Sequence, residues 1–355
     1  MPAVASRTAF YPLTVSRVDP LTADAAAVTF AVPGELGEIF DFAPGQSLTV
    51  RRFVDGRDER RSYSICAPAG CVPRIGVRAV AGGAVSGWLV HGVQAGDVLD
   101  VQAPAGGFTP DLTRPGRHVL LAAGSGITPV LSIAASLLAA RDDTDVTLVY
   151  GNRRSDTVMF ADEVADLKDA YPDRMQLVHV LSREPQEVEL FSGRLDAAKL
   201  RDLLPATVEV PAVDQWWLCG PYGMVTGAVG VLSHLGVDSG RIHRELFYVD
   251  EPHEVHHVDA PPGPGAEVTV ILDGRSSTVT VPPGLPVLDA AQRVRPDLPF
   301  ACKAGVCGAC RALVRAGSVH MRRNFALEPR ETGAGYVLTC QAVPESSELV
   351  VDYDA

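Results

Sequence analysis

At 355 residues the chain is long enough for two or three domains. An apolar share of 46% with 21% charged residues is that of packed globular domains and excludes a disordered chain. The net charge of −12 argues against a nucleic-acid partner, which needs clustered Lys and Arg; it is also uneven, with 22 basic and 33 acidic side chains in residues 1–264 against 9 and 10 in residues 265–355.

Residues from about 11 to 103 read as short strands. Segments 28–32, 47–50 and 75–80 alternate or are β-branched, and turns such as Pro44-Gly45 separate them. Regular spacing of this kind predicts a small antiparallel barrel. Residues 1–13 hold no long apolar run, so no signal peptide is expected and the chain is expected in the cytoplasm.

Residues 119–140 run for 22 positions without a charge, long enough to cross a bilayer. Gly124, Ser125, Gly126, Thr128 and Pro129 interrupt them, and such breaks leave backbone groups unpaired in lipid. The expectation is a buried strand at 119–123, a tight turn, and a helix from about 129 to 140. Strands then follow at 146–150, 175–180 and 216–219, and helices at 160–170, 196–204 and 222–235. This alternation predicts a doubly wound α/β domain with a parallel sheet.

Residues 250–265 form a Pro/Gly/His stretch that reads as a semi-rigid linker. His253, His256 and His257 lie in it without a fixed cage of partners and read as solvated. Beyond it, segments 268–272 and 277–281 flank Asp273-Gly274, the sequence of a tight hairpin. A short helix is expected at 287–293. The domains expected are 1–112, 113–250, a linker at 251–264, and 265–355.

Seven cysteines are present: Cys66, Cys71, Cys219, Cys302, Cys307, Cys310 and Cys340. In a reducing compartment a cluster of cysteines points to metal or catalysis rather than disulfides. Cys302, Cys307 and Cys310 give C-x4-C-x2-C, and Cys340 follows with 29 residues in between, the plant-type [2Fe–2S] spacing. Ala304, Gly305, Gly308 and Ala309 between them are small, so the backbone can wrap closely and aim N–H groups at sulfur. A four-thiolate zinc site usually shows two paired knuckles, which the lone Cys340 does not supply. Buried, unliganded cysteines are the remaining reading; Cys66 and Cys71 are left as structural, and a structural reading is open to Cys219 as well.

Four further motifs carry chemistry. Arg61-Ser62-Tyr63-Ser64 ends a barrel strand and supplies a cation, hydroxyls and a planar aromatic, which a flavin needs. Gly82-Gly83-Ala84-Val85-Ser86 opens a short helix whose N–H groups suit a pyrophosphate, although a plain Gly-rich hairpin reads the same way. Gly124-Ser125-Gly126-Ile127-Thr128-Pro129 lets a dinucleotide approach the backbone at a helix start, without the full G-x-G-x-x-G pattern. Cys219-Gly220-Pro221 stands at the carboxyl edge of a later strand, where doubly wound sheets bind ligands.

In this order the motifs resemble the ferredoxin–NADP reductase superfamily fused to a plant-type ferredoxin, the architecture of oxygenase reductase components. The likeness covers nearly the whole chain. It implies a flavin-binding barrel, a nicotinamide-binding α/β domain and a β-grasp-like α+β ferredoxin domain. It implies FAD stacked on Tyr63 and held by Arg61, Ser62, Ser64, Val77, Arg78 and the Gly83-Ala84-Val85-Ser86 turn. NAD(P)H would lie along Gly124, Gly126, Thr128, Pro129, Cys219 and Gly220, with its adenosine ribose near Asn152 and Arg153. Arg153 and Arg154 lean towards NADPH, while Asp156 favours a free 2′-hydroxyl. Glu245-Leu246-Phe247 resembles the family's E-x-F element beside the flavin, which gives Tyr63, Ser64, Cys219 and Glu245 as the catalytic set. Cys302, Cys307, Cys310 and Cys340 would hold the [2Fe–2S] cluster. The implied activity is NAD(P)H oxidation with electrons passed to an oxygenase, of diiron type. A ring-hydroxylating or steroid-hydroxylating partner is the alternative, and a non-catalytic electron carrier the reading from another class.

Overall fold

The computed structural model describes residues 9–247 and 265–355. The linker expected at 251–264, with its three histidines, lies outside the described residues. The chain divides into two compact units: residues 11–59 with 63–247, and residues 265–355, with which residues 9–10 and 60–62 are grouped.

The first unit begins with six antiparallel strands: β1 (Phe10–Thr22), β2 (Ala25–Ala31), β3 (Ser47–Val54), β4 (Arg57–Ser64), β5 (Arg74–Arg78) and β6 (Val98–Gln102), with helix α1 (Ala84–His91) between the last two. Their order is β4-β3-β6-β1-β2-β5. The two edges meet through the Ile65–Ile75 bridge, and the Cys66 N–H donates to the Arg74 carbonyl at 2.8 Å, so the sheet closes as a barrel. Leu13, Val28, Phe30, Leu48, Val50, Ile75, Val101 and the helix residue Leu89 fill its interior. β4 reads Arg-Asp-Glu-Arg-Arg-Ser-Tyr-Ser and lacks an apolar run. It is a strand because Asp55 and Gly56 take φ of 49° and 76°, the left-handed pair that closes a two-residue hairpin from β3.

The same unit continues with a five-stranded parallel sheet. Its elements are β7 (Gly116–Ala123), α2 (Ile127–Ala140), β8 (Thr144–Asn152), α3 (Ala161–Ala170), β9 (Met175–Leu181), α4 (Ala197–Thr207), β10 (Gln215–Gly220), α5 (Tyr222–His234) and β11 (Ile242–Leu246). The uncharged stretch is strand, 3-10 turn and helix, as expected, and α2 is buried along most of its length. Among the described residues no helix is long and apolar enough to cross a membrane. The order β11-β10-β7-β8-β9 shows that the chain winds outward from β7 in one direction and then crosses to its other side. The carboxyl ends of β7 and β10 therefore flank the switch point, where such sheets form a crevice. Edge strand β11 is not signalled by the sequence.

The second unit holds β12 (Ala266–Leu272), β13 (Arg275–Val281), α6 (Val287–Ala291), β14 (Arg311–Ala316), β15 (Val319–Met321), α7 (Pro329–Gly333), β16 (Tyr336–Leu338), β17 (Ala342–Pro344) and β18 (Glu348–Asp352). The main sheet runs β13-β12-β18-β14-β16, with β12 and β18 parallel, and β15 pairs with β17 separately. The expected Asp273-Gly274 hairpin is present, with φ of 52° and 68° and both N–H groups donating to the Asp354 carboxylate at 2.8 Å. Helix α6 is shorter than the sequence suggests. Its chain continues to residue 294 in tightened i,i+3 bonds, Arg293 to Ala290 and Val294 to Ala291.

Candidate functional site

Three of the expected residues meet at the switch point of the first unit. Parallel pairing sets Cys219 opposite Ala122 on one side and Glu245 on the other. From the barrel, Ser64 at the end of β4 donates its hydroxyl to Glu245 Oε2 at 3.3 Å. Burial pushes the Glu245 carboxyl up to about 7, with the Ser64 bond pulling the other way. Burial, reinforced by the Glu245 charge, pushes the Cys219 thiol well above its usual value, so it stays protonated. The arrangement is a neutral thiol, a hydroxyl and a carboxyl able to hold a proton near neutrality.

The Gly124-Gly126 turn packs against this group. A Cβ at Gly126 would lie 2.1 Å from the Cys219 carbonyl oxygen and 2.9 Å from the Gly220 nitrogen. Backbone meets backbone there, and only glycine fits. Thr128 is buried and donates to the Ser125 carbonyl at 2.9 Å, fixing the first turn of α2. Gly76 on β5 lets the barrel close on Thr128 and Phe160, since a Cβ would stand 2.3 Å from Thr128 Cγ2. Neither Gly76 nor Phe160 stood out in the sequence. Pro129 lies buried in the same first turn.

On the barrel, Tyr63 is partly buried against the core and Arg61 is exposed, donating to the Arg60 carbonyl at 2.7 Å. Arg78 donates to the Thr157 carbonyl at 2.7 Å and lies beside Gly124. The Gly83 turn is closed by the Ser86 hydroxyl, which accepts the Val80 N–H at 3.1 Å, and a Cβ at Gly83 would strike that hydroxyl at 2.4 Å. This tight turn before α1 fits an anionic diphosphate approaching the backbone. Val77 and Val85 are 0% and 2% exposed within the barrel core. Their side chains are thus not presented to a ligand, and only their main-chain groups can take part. The same packing that makes them core residues hides them. Phe247, just past β11, is partly buried against the core of the parallel sheet.

Asn152 at the end of β8 is buried, and Arg153 just past it is exposed. Arg154 lies 3.6 Å from Asp156. The segment after β9 runs alongside: the Arg183 N–H donates to the Arg153 carbonyl at 2.8 Å, and Glu184 accepts both the N–H and hydroxyl of Ser155 at 2.8 and 2.9 Å. Those two bonds hold the Glu184 carboxyl below its usual value. Arg183 and Glu184 were missed by sequence reasoning, because their place depends on the β8–β9 register.

In the second unit the four late cysteines lie close enough to act on one another, Cys302 on Cys340 and Cys307 on Cys310. The thiols of Cys302 and Cys307 hydrogen-bond, as do those of Cys310 and Cys340. Two pairs of thiols suit two irons. The loop carries N–H groups to sulfur: Ala304 and Cys307 to Cys302 at 3.3 and 3.4 Å, and Cys302 to Cys307 at 3.5 Å. Lys303, Gly305 and Gly308 take φ of 53°, 78° and 70°, which wraps the backbone around them. The Cys307 thiol and these main-chain donors pull the Cys302 thiol down, against its burial. The donor set fits a [2Fe–2S] group.

Three family models cover most of the chain: an oxidoreductase FAD-binding domain over residues 12–109, an oxidoreductase NAD-binding domain over 120–230, and a 2Fe–2S iron–sulfur cluster binding domain over 270–345. One component of the 1,2-phenylacetyl-CoA epoxidase of Escherichia coli is 41% identical across 98% of this chain and 99% of its own length. The chain belongs to the ferredoxin reductase family. It is an oxidoreductase with FAD-binding, NAD-binding and [2Fe–2S] domains. The ferredoxin reductase component of 3-ketosteroid-9-alpha-monooxygenase from Rhodococcus rhodochrous is 34% identical across 96% of each chain. Phthalate dioxygenase reductase, 23% identical with a TM-score of 0.60 over 97% of this chain and 98% of its own, shares the fold.

Proposed function

We propose that this reductase carries electrons from a reduced nicotinamide to the oxygenase component of a multicomponent monooxygenase. The observation that carries the reading is the meeting of Ser64, Cys219 and Glu245 at the switch point, where a flavin-binding barrel and a nicotinamide-binding sheet share one buried group of side chains. When bound, FAD would supply acceptance of an electron pair as hydride and release of single electrons, and the [2Fe–2S] cluster would supply one-electron transfer.

The chain's own residues bind and orient. Tyr63 offers its ring for stacking, while Arg61, Ser62, Ser64, Arg78 and the turn from Gly83 through Val85 to Ser86 take the polar groups of FAD. Gly124, Gly126, Thr128, Pro129 and Gly220 give the nicotinamide a close backbone approach. The Cys219 thiol presents an uncharged face to the ring. Glu245, fixed by the Ser64 hydroxyl, holds a proton near neutral pH that it can donate to a carboxamide. Phe247 borders the same place. Cys302, Cys307, Cys310 and Cys340 would hold the cluster.

The flavin domain is placed at residues 1–112, the nicotinamide domain at 113–250 and the ferredoxin domain at 265–355. Arg153, Arg154 and Arg183 favour a 2′-phosphate and hence NADPH, against the opposing Asp156 and Glu184. A kcat/KM for NADH above that for NADPH would refute this choice. A cysteine cluster that holds a metal group rather than disulfides suits a reducing cytoplasm.

The partner proposed is a diiron oxygenase acting on phenylacetyl-CoA. This is supported by the 41% relative. The test is reconstitution with purified epoxidase components. NADPH oxidation that depends on phenylacetyl-CoA supports the assignment. Turnover only with a 3-ketosteroid system would favour the second reading, which the 34% relative supports.

A further inference from the structure

We infer that Gln341 raises the reduction potential of the [2Fe–2S] cluster by donating its side-chain amide to the Cys340 sulfur. This rests on the iron–sulfur reading above and deepens it. Gln341 directly follows the fourth cysteine and is 8% exposed. Its Nε2 donates to the Lys303 carbonyl at 3.0 Å and to Cys340 Sγ at 3.6 Å. Its main chain is pinned as well: its N–H donates to the Leu338 carbonyl at 2.8 Å, and its carbonyl accepts the Arg322 N–H at 3.0 Å. The side chain also packs on the cysteine loop, since a Cβ at Gly305 would stand 3.0 Å from Gln341 Cγ. Gln341 thus ties the strand carrying Cys340 to the loop carrying Cys302, and one amide group contacts both.

A hydrogen bond to sulfur stabilises the more negative state of the cluster and so favours its reduction. The donors aimed at Cys302 and Cys307 are main-chain amides fixed by the loop. The Gln341 donor is a side chain, so it can be removed without altering the backbone. The Lys303 carbonyl holds the amide in place, because it accepts from the same nitrogen that faces sulfur.

The experiment is an EPR-monitored redox titration of the full-length holoprotein. Gln341→Leu removes the donor at similar volume. Its cluster midpoint should fall by the equivalent of about a tenfold weaker reduction, ~59 mV for a one-electron couple, with the flavin midpoint unchanged. Gln341→Glu keeps the length but turns an acceptor towards sulfur, and its midpoint should fall at least as far. A purely structural role would lower cluster content or Tm and leave the midpoint of the loaded fraction where it was, and that result overturns the inference. If both variants lose the cluster, pulsed EPR on the reduced wild-type protein carrying 15N in glutamine side chains decides. A coupling to that nitrogen sustains the inference, and its absence refutes it. A wild-type protein with no reduced-cluster signal at all would instead bring down the iron–sulfur reading itself.

Discussion

Gly126→Ala should separate nicotinamide oxidation from folding. The added methyl would sit 2.1 Å from the Cys219 carbonyl oxygen and 2.5 Å from its carbon. An ordinary C···O contact is ~3.4 Å, so the turn and the end of β10 must part by about 1.3 Å. Neither side is a flexible side-chain tip, and no rotamer change relieves the contact. A displacement of about 1 Å at a reacting geometry costs on the order of 100-fold in rate. NADPH–ferricyanide kcat/KM should therefore drop by about that factor, while FAD, held by the barrel, stays bound. Gly230→Ala is the matched control. Gly230 lies inside α5 with nothing within 4 Å of its added methyl. There the same substitution should stabilise the protein by up to ~1 kcal/mol and leave kcat/KM unchanged. The assay is steady-state kinetics alongside thermal unfolding. Near-wild-type kcat/KM for Gly126→Ala would refute the packing argument.

Three other expectations follow from the geometry. Cys310→Ser should keep NAD(P)H–ferricyanide activity yet stop driving the oxygenase; undiminished oxygenase turnover would rule out a route through the cluster. Arg153→Ala should weaken kcat/KM for NADPH more than for NADH, and equal losses would remove Arg153 from 2′-phosphate recognition. His118 is buried, and its Nδ1 accepts the Trp217 indole N–H at 3.2 Å. Burial lowers its pKa from 6.5 to about 4, so the unfolded chain binds a proton in that window and the folded chain does not. Stability on this account is intact above pH 6.5 and is lost as pH falls towards 4. At ~1.4 kcal/mol per pH unit the loss is bounded at about 3 kcal/mol. His118→Asn keeps an acceptor without a titrating ring and should narrow the gap to wild type in urea melts as pH falls through that range. A pH-independent difference between the two proteins would refute it.

How much could be read beforehand differs from one element to the next. Gly124 to Pro129 betrayed the strand–turn–helix because glycine and proline act on the local backbone whatever the surroundings. Asp273-Gly274 did the same for its hairpin. β4 was harder to see, since Arg57 to Arg61 give no apolar alternation and the pairing with β3 makes the strand. β11 was invisible as a strand, since five residues at a sheet edge leave too short a pattern. Val77 and Val85 were expected beside the flavin because they adjoin its motifs, and only the packed barrel showed their side chains turned inward.

The order and spacing of residues along the chain determined the cysteine set, the two glycine turns and the alternation that dictates a parallel sheet, because each is a short-range pattern. Tertiary structure alone decided that Ser64 reaches Glu245 across 181 positions, that Glu245 pairs beside Cys219, and that Gln341 bends back to Lys303. Those contacts depend on strand order and register, which are set by burying whole faces against one another and leave no mark at any single position.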